Sequence, residues 1–229
     1  MEVQIYNGKI NIKFLEGNHS YYVDGKRVQS VSSIVNQLEN PALTSWKLNC
    51  AGDYLNDLLN KGIQINQSHI EESKKYHETI SNEAKEIGIK VHDYCEKFAI
   101  SCINKQDLPE IPKDIDDKIV SGINAFLEWY SNNNIEFLET EKIVYSKNLN
   151  YVGKFDLLCR INGILTLVDY KTSKGIYNNQ EWQLCGYSIA YKEEFGNIPL
   201  QLLLLHFDKD SGQFTPHIVE EQDKKEQIF

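Results

Sequence analysis

Apolar and polar residues alternate through residues 3–6 and 10–14, and again through 21–28, where Asp24-Gly25 supplies a two-residue turn. A period of two over short runs predicts a small β-meander at the start of the chain. The period then lengthens. Ser30 precedes Val31, Ile34, Val35 and Leu38, so a short helix capped by Ser30 is expected to end before Pro41. A second helix is expected over 42–59, where Trp46, Cys50, Tyr54 and Leu58 recur every four residues, with Gly62 just beyond it as a stop. The third is long, about 68–103, with Tyr76, Ile80, Ala84, Ile87, Val91, Cys95 and Phe98 on one stripe. Gly88 interrupts that helix at a point where another element could approach closely. After a loop over 104–113 containing Pro109 and Pro112, a fourth helix is expected over 114–132.

From residue 135 the pattern returns to strands, at 137–145, 152–161 and 164–170. The last two flank Asn162-Gly163, the pair that a type I′ hairpin turn demands because both central residues need positive φ. That turn fixes a register in which Ile161 faces Ile164, Leu158 faces Leu167 and Asp156 faces Asp169. Two carboxylates are then expected directly opposite each other, with β-carbons about 5 Å apart, and Lys171 on the same face. A helix over 179–195, a strongly apolar strand over 200–207 and a strand over 213–219 follow. Residues 220–229 are charged and read as a frayed tail.

Composition narrows the picture. The chain has 229 residues, 41% of them hydrophobic, enough for one large core. No apolar run approaches the roughly 18 residues of a membrane span, and the first residues lack signal-peptide character, so a soluble, cytoplasmic protein with no membrane partner is expected. Cys50, Cys95, Cys102, Cys159 and Cys185 are scattered without a C-x-x-C pair, and they read as small core residues, not as disulfides or cluster ligands. The formal charge is -9, yet between Lys142 and Lys174 six basic side chains accompany only Asp156 and Asp169. A basic strip around two acids suits a polyanion drawn to a metal site, or equally a lysine-guarded sheet edge.

Facing carboxylates repel unless a cation lies between them. Asp156 and Asp169 suit a hard divalent ion, Mg²⁺ above all, that polarises a phosphoryl oxygen, while Lys171 holds a water or offsets charge. Phosphodiester hydrolysis is the matching reaction. On this reading Asp169→Ala abolishes cleavage and leaves the fold intact, because removing one of two facing acids relieves repulsion. His92 lies beside the apolar stripe of the long helix, ordinarily the place of a core or boundary histidine. Gln183 and Tyr187, four apart, could equally serve helix packing.

Gly153-Lys-Phe-Asp156 followed by Asp169-Tyr-Lys171-Thr172 resembles the PD-(D/E)XK nucleases, in particular the RecB-like exonucleases of phage genomes. His92 on an upstream helix, Glu141 on the strand before Asp156, and a Gln183-x-x-x-Tyr187 helix occur in that branch's order. Ser30-Val-Ser-Ser-Ile through Pro41-Ala-Leu-x-x-Trp46 is similar to the opening segment of phage members. The resemblance implies an α/β fold with a restriction-endonuclease-like core, a central mixed β-sheet flanked by helices, preceded by the β-meander and helical region. It implies a single domain, with 1–66 as its N-terminal part, 67–219 as the nuclease core and 220–229 as the tail.

As catalytic residues it implies Asp156, Asp169, Lys171, Gln183, Tyr187 and Glu141; as metal ligands His92, Asp156, Asp169 and the Tyr170 carbonyl; as DNA contacts Lys154, Lys174 and Ser30. The implied cofactor is Mg²⁺, replaceable by Mn²⁺, with no iron-sulfur cluster. The implied activity is DNA cleavage, single- or double-stranded, by an exonuclease of phage or bacterial recombination, replication or DNA processing. A branched-DNA or RNA endonuclease and a non-catalytic DNA-binding protein of the same fold are the alternatives. No Walker A motif is present, so processivity would come from a recombination or replication partner protein or from homo-oligomers.

Overall fold

The computed structural model describes residues 1–18, 20–38, 41–196 and 200–229, with only the backbone at Ile228. The meander forms as its alternation requires: β1 (Glu2–Ile5), β2 (Ile10–Leu15), β3 (Ser20–Val23) and β4 (Lys26–Ser30) pair antiparallel in sequence. Ile10, Ile12 and Phe14 of β2 are buried and the residues between them exposed. α1 (Val31–Val35) starts at a reciprocal cap in which Ser30 Oγ accepts the Ser33 N–H at 3.1 Å and Ser33 Oγ accepts the Ser30 N–H at 3.0 Å.

α2 (Pro41–Asn60) and α3 (Gln67–Asn104) run as a helical pair. The early part of α3 packs mainly on α2, through Tyr54 against Tyr76 and Trp46 against His77. The later part enters the main core through Val91, Tyr94, Cys95, Phe98 and Ala99. α4 (Asp117–Ser131) begins three residues later than its periodicity suggests. Asp114 is left-handed and the Asp116 carboxylate caps Lys118 N–H at 2.8 Å, so the chain turns before the helix can start.

β5 (Ile135–Ser146), β6 (Tyr151–Ile161), β7 (Ile164–Lys171), α5 (Asn178–Phe195), β8 (Gln201–Phe207), β9 (Phe214–Ile218) and α6 (Gln222–Ile228) complete the chain. The described strands form one nine-stranded sheet in the order β1-β2-β3-β4-β6-β7-β8-β9, with β5 on the other edge of β6. It is mixed: β4 with β6 and β7 with β8 are parallel, the latter joined through α5, and the remaining pairs antiparallel. α3 and α4 cover one face, where Phe98, Phe126 and Trp129 meet Leu157, Val168 and Leu203. α1 and α5 cover the other, where Val31, Leu184 and Tyr191 meet Phe155, Leu158 and Leu204.

Two expectations fail for tertiary reasons. The Asn162-Gly163 turn forms with φ of 51° and 85°, and the register runs as expected from Ile161↔Ile164 to Leu157↔Val168. It stops one pair short of Asp156 and Asp169. Phe155 packs on the α5 face and Leu157, two residues on, packs on the α3 face, so the alternation of β6 slips at Asp156. The tail is not frayed either. α6 lies on α5, because its charges find partners there: Glu226 with Lys192 and Ser188, Lys225 with Glu181.

Candidate active site

β6 has two edges, and one belongs to β5 along its whole length. The other is shared. β4 takes it at Tyr151 and Val152, β7 takes it from Leu157 onward, and the stretch between is a fork. Asp156 sits in the fork. Its Oδ2 accepts the Tyr170 N–H at 2.7 Å, in place of the ladder bond that β6 would otherwise supply. His92 Nδ1 approaches the same oxygen at 3.6 Å, with its ring edge-on to Tyr170 at 5.6 Å. Burial pushes the Asp156 carboxyl up to about 6, against the pull of His92, and the Asp169 charge adds to the rise.

α3 can bring His92 there because Gly88, one turn earlier, lies against the strand end: a β-carbon at that position would stand 2.7 Å from Thr172 Oγ1. Gly88→Ala should therefore turn the Thr172 hydroxyl aside or ease α3 outward, and on the nuclease reading implied by the sequence slow cleavage on the order of tenfold while the core remains folded. Rates beside circular dichroism spectra check this, and an alanine variant with wild-type rates would show that the close approach is dispensable.

Asp169 faces the other way, toward α5. It is 3% exposed and ion-paired with the Lys171 ammonium. Lys171 Nζ also donates to Gln183 Oε1 at 3.1 Å, and the Gln183 amide nitrogen donates to Tyr187 Oη at 2.7 Å and Ser32 Oγ at 3.0 Å. Gln183 thus uses its carbonyl and both amide protons. Burial, followed by the charges of Asp169 and Asp156, holds the Tyr187 hydroxyl well above its ordinary range, so it stays neutral. The Tyr187 ring can reach Gln183 because Gly153 lies beneath it, where a β-carbon would be 2.5 Å from the ring. Ser32 escaped the sequence reading; the only signal was its place inside the Ser-rich cap of α1.

The remaining predicted residues lie around the fork with other partners. Glu141 stands across from Asp156, between the pairs Thr140↔Leu157 and Lys142↔Phe155, in a left-handed conformation (φ 50°) that side chains rarely adopt. Its carboxylate pairs with Lys154, not with the two aspartates. Glu96, one turn beyond His92, is raised by burial and by the Glu141 charge. Lys174 is exposed on the loop after β7. The Ser30 hydroxyl oxygen accepts the Ser33 N–H at the cap of α1.

Among the described residues no three His, Cys, Asp or Glu side chains already converge as a cation site. The expected ligand set of His92, Asp156, Asp169 and Tyr170 is gathered at the fork but left unclosed, since Asp169 is turned to Lys171. The donors suit a hard divalent ion nonetheless. The buried Asp169 Oδ2 is the atom that the Lys171 ammonium contacts, a hard oxygen donor already placed opposite a cation. The Tyr170 carbonyl shares the strand edge of its N–H, which is the edge Asp156 occupies.

The family model of the PD-(D/E)XK nuclease superfamily matches residues 68–229. The chain belongs to this superfamily. Members are typically metal-dependent nucleases that use divalent ions such as Mg²⁺, and the α/β architecture with its mixed, helix-flanked sheet is consistent with their restriction-endonuclease-like fold. Comparison with curated proteins finds no match. In this member of the superfamily the matched region runs from α3 through α6, while Ser32 lies outside it. No described helix is long and apolar enough to cross a membrane.

Proposed function

We propose that this PD-(D/E)XK nuclease hydrolyses DNA phosphodiesters with Mg²⁺, or Mn²⁺ in its place, as a RecB-like exonuclease of phage or bacterial recombination, replication or DNA processing. Residues 1–66, 67–219 and 220–229 act as one cytoplasmic unit on this reading. One observation carries it: the Asp156–His92 pair and the Asp169–Lys171–Gln183 chain meet at a single fork of the sheet. A divalent ion held by Asp156, Asp169, His92 and the Tyr170 carbonyl would polarise a phosphoryl oxygen and make a water more acidic.

The chain's own groups supply the rest. Gln183 fixes the direction of Lys171 Nζ, so the ammonium offsets charge that develops on the phosphate or restrains the attacking water. Tyr187 and Ser32 fix Gln183 in turn. Lys154 and Lys174 contact backbone phosphates, with Glu141 orienting Lys154. Ser30 accepts at the cap of α1 and would contact a phosphate by donating its O–H. Processivity falls to a partner protein or to association between copies.

End-labelled linear DNA, closed circular DNA and RNA, each incubated with Mg²⁺, Mn²⁺ or EDTA, test the proposal. Linear DNA should be degraded from its ends only when the metal is present, with circles and RNA intact. Cutting of circles or of RNA would replace it by the endonuclease reading. Metal-independent DNA binding without turnover would leave a non-catalytic DNA-binding protein.

A further inference from the structure

α6 is fastened to α5 by charge and capped by a ring. Glu226 accepts hydrogen bonds from Ser188 Oγ at 2.8 Å, Gln222 Nε2 at 2.7 Å and Lys192 Nζ at 2.9 Å. Glu181 lies 2.5 Å from Lys225 Nζ through one oxygen and 2.6 Å from His217 Nε2 on β9 through the other. Beyond these anchors the Phe229 ring packs against Tyr151, with centroids 5.1 Å apart and planes at 72°. The same ring covers Gly186. A β-carbon on Gly186 would meet Phe229 Cζ at 2.6 Å and Val31 Cγ1 at 3.0 Å, and the Gly186 carbonyl accepts the Tyr151 hydroxyl at 2.7 Å.

Gly186 belongs to the turn of α5 that carries Gln183 and Tyr187, and Val31 is the neighbour of Ser32. The ring is therefore wedged where α1 and α5 meet. These two helices are tied at the site by the 3.0 Å bond from Gln183 to Ser32. That bond has a directional role, because the terminal torsion of a glutamine is broad and roughly two-fold. With its nitrogen held by Ser32 and Tyr187, Gln183 presents oxygen to Lys171; released, it can turn its NH₂ toward an ammonium and lose the contact.

We infer that Phe229 is a positioning residue, whose ring sets the spacing of α1 and α5 that keeps Gln183 Oε1 on Lys171. Its kinetic consequence rests on the proposed nuclease reading; its effect on Gln183 does not. A ring that merely filled space would change stability without moving Gln183.

The test uses the full chain as wild type, Phe229→Ala, Phe229→Leu, Gly186→Ala and the Gly186→Ala/Phe229→Ala pair. The readouts are the Gln183 side-chain amide resonances by NMR, assigned with Gln183→Glu, and kcat and KM on DNA with Mg²⁺, beside Tm. Phe229→Ala should move the Gln183 resonances toward those of a free amide and lower kcat on the order of tenfold to a hundredfold with KM little changed. Gly186→Ala should do likewise by displacing the ring. The pair should recover most of the loss, since the new methyl occupies space the ring has left. Phe229→Leu should stay near wild type.

A Phe229→Ala protein with lowered Tm but wild-type Gln183 resonances and kcat would overturn the proposal, as would losses that simply add in the pair. Should Phe229→Ala not fold, Gly186→Ala decides alone: shifted Gln183 resonances support the wedge and unshifted ones reject it. Wild-type protein that cuts no DNA while Gln183 still follows the wedge would remove the nuclease reading and keep the positioning role.

Discussion

Asp169→Ala is expected to abolish cleavage and to destabilise the protein together. The carboxylate is almost fully buried, and its contact is the Lys171 ammonium, whose side chain is 16% exposed. Among the described residues alanine would leave that ammonium in a largely desolvated place with Gln183 Oε1 as its hydrogen-bond acceptor and the Asp156 charge nearby. Removing one partner of a buried pair costs about 3 kcal/mol, which for a chain of this size lowers Tm by roughly 6–12 °C. This reverses the expectation, drawn from facing acids, that the alanine variant keeps an unperturbed fold. Asp169 is not held against Asp156; it is neutralised by lysine. Adding Lys171→Met should return part of the lost stability without returning activity, because the orphaned charge goes with it. Thermal melts of wild type, both single variants and the pair give the coupling directly. An alanine variant that melts at or above the wild type would mean that Asp169–Lys171 contributes nothing to the fold, and one that cuts DNA normally would remove Asp169 from the reaction.

What could be read in the chain was what is local. The Asn162-Gly163 turn needs no context beyond its φ values, so the hairpin and its register as far as Leu157↔Val168 were legible. The stripe of α3 placed His92 on a helix, and Gly88 marked the close approach that Thr172 makes. The orientation of Asp156 was not legible. It depends on β4 taking the edge of β6 at Val152 through Ser30, a pairing between residues far apart in sequence that no periodicity announces. Glu141 was placed on the strand before Asp156 by the resemblance alone; its position opposite Asp156, its left-handed backbone and its pairing with Lys154 are tertiary outcomes. α6 was misread for a related reason. A run such as Gln222–Ile228 looks solvated when its charges are counted alone, and becomes part of the fold only because α5 offers Lys192, Ser188 and Glu181 at matching positions. Ser32 shows the same limit, since a cap serine and a site serine differ only in what comes to meet them.

Asp156→Asn should have the opposite effect on stability to Asp169→Ala while being as damaging to cleavage. The Asp156 carboxyl is raised to about 6, chiefly by burial, from an unfolded value near 3.9. A carboxyl that binds its proton more tightly when folded favours the folded state below about pH 4, and that advantage is lost as pH rises through 6. At pH 8 without metal, ionised Asp156 therefore works against folding by about 2–3 kcal/mol. Asparagine carries no charge and keeps an oxygen for the Tyr170 N–H, so in EDTA at pH 8 the variant should melt several degrees above the wild type, with the gap closing as pH falls toward 4. A divalent ion reverses the comparison. Because it binds the folded form and needs the ionised acid, Mn²⁺ should raise the Tm of the wild type and leave Asp156→Asn unmoved, and its benefit to the wild type should fade below pH 6. The decisive measurement is the pair of melting curves with EDTA and with Mn²⁺ across pH 4–8. Equal Mn²⁺ shifts in both proteins would place the ion elsewhere than the fork, and an asparagine variant less stable than the wild type at pH 8 would mean that Asp156 earns its place through Tyr170 and His92 in the metal-free fold and not through a cation.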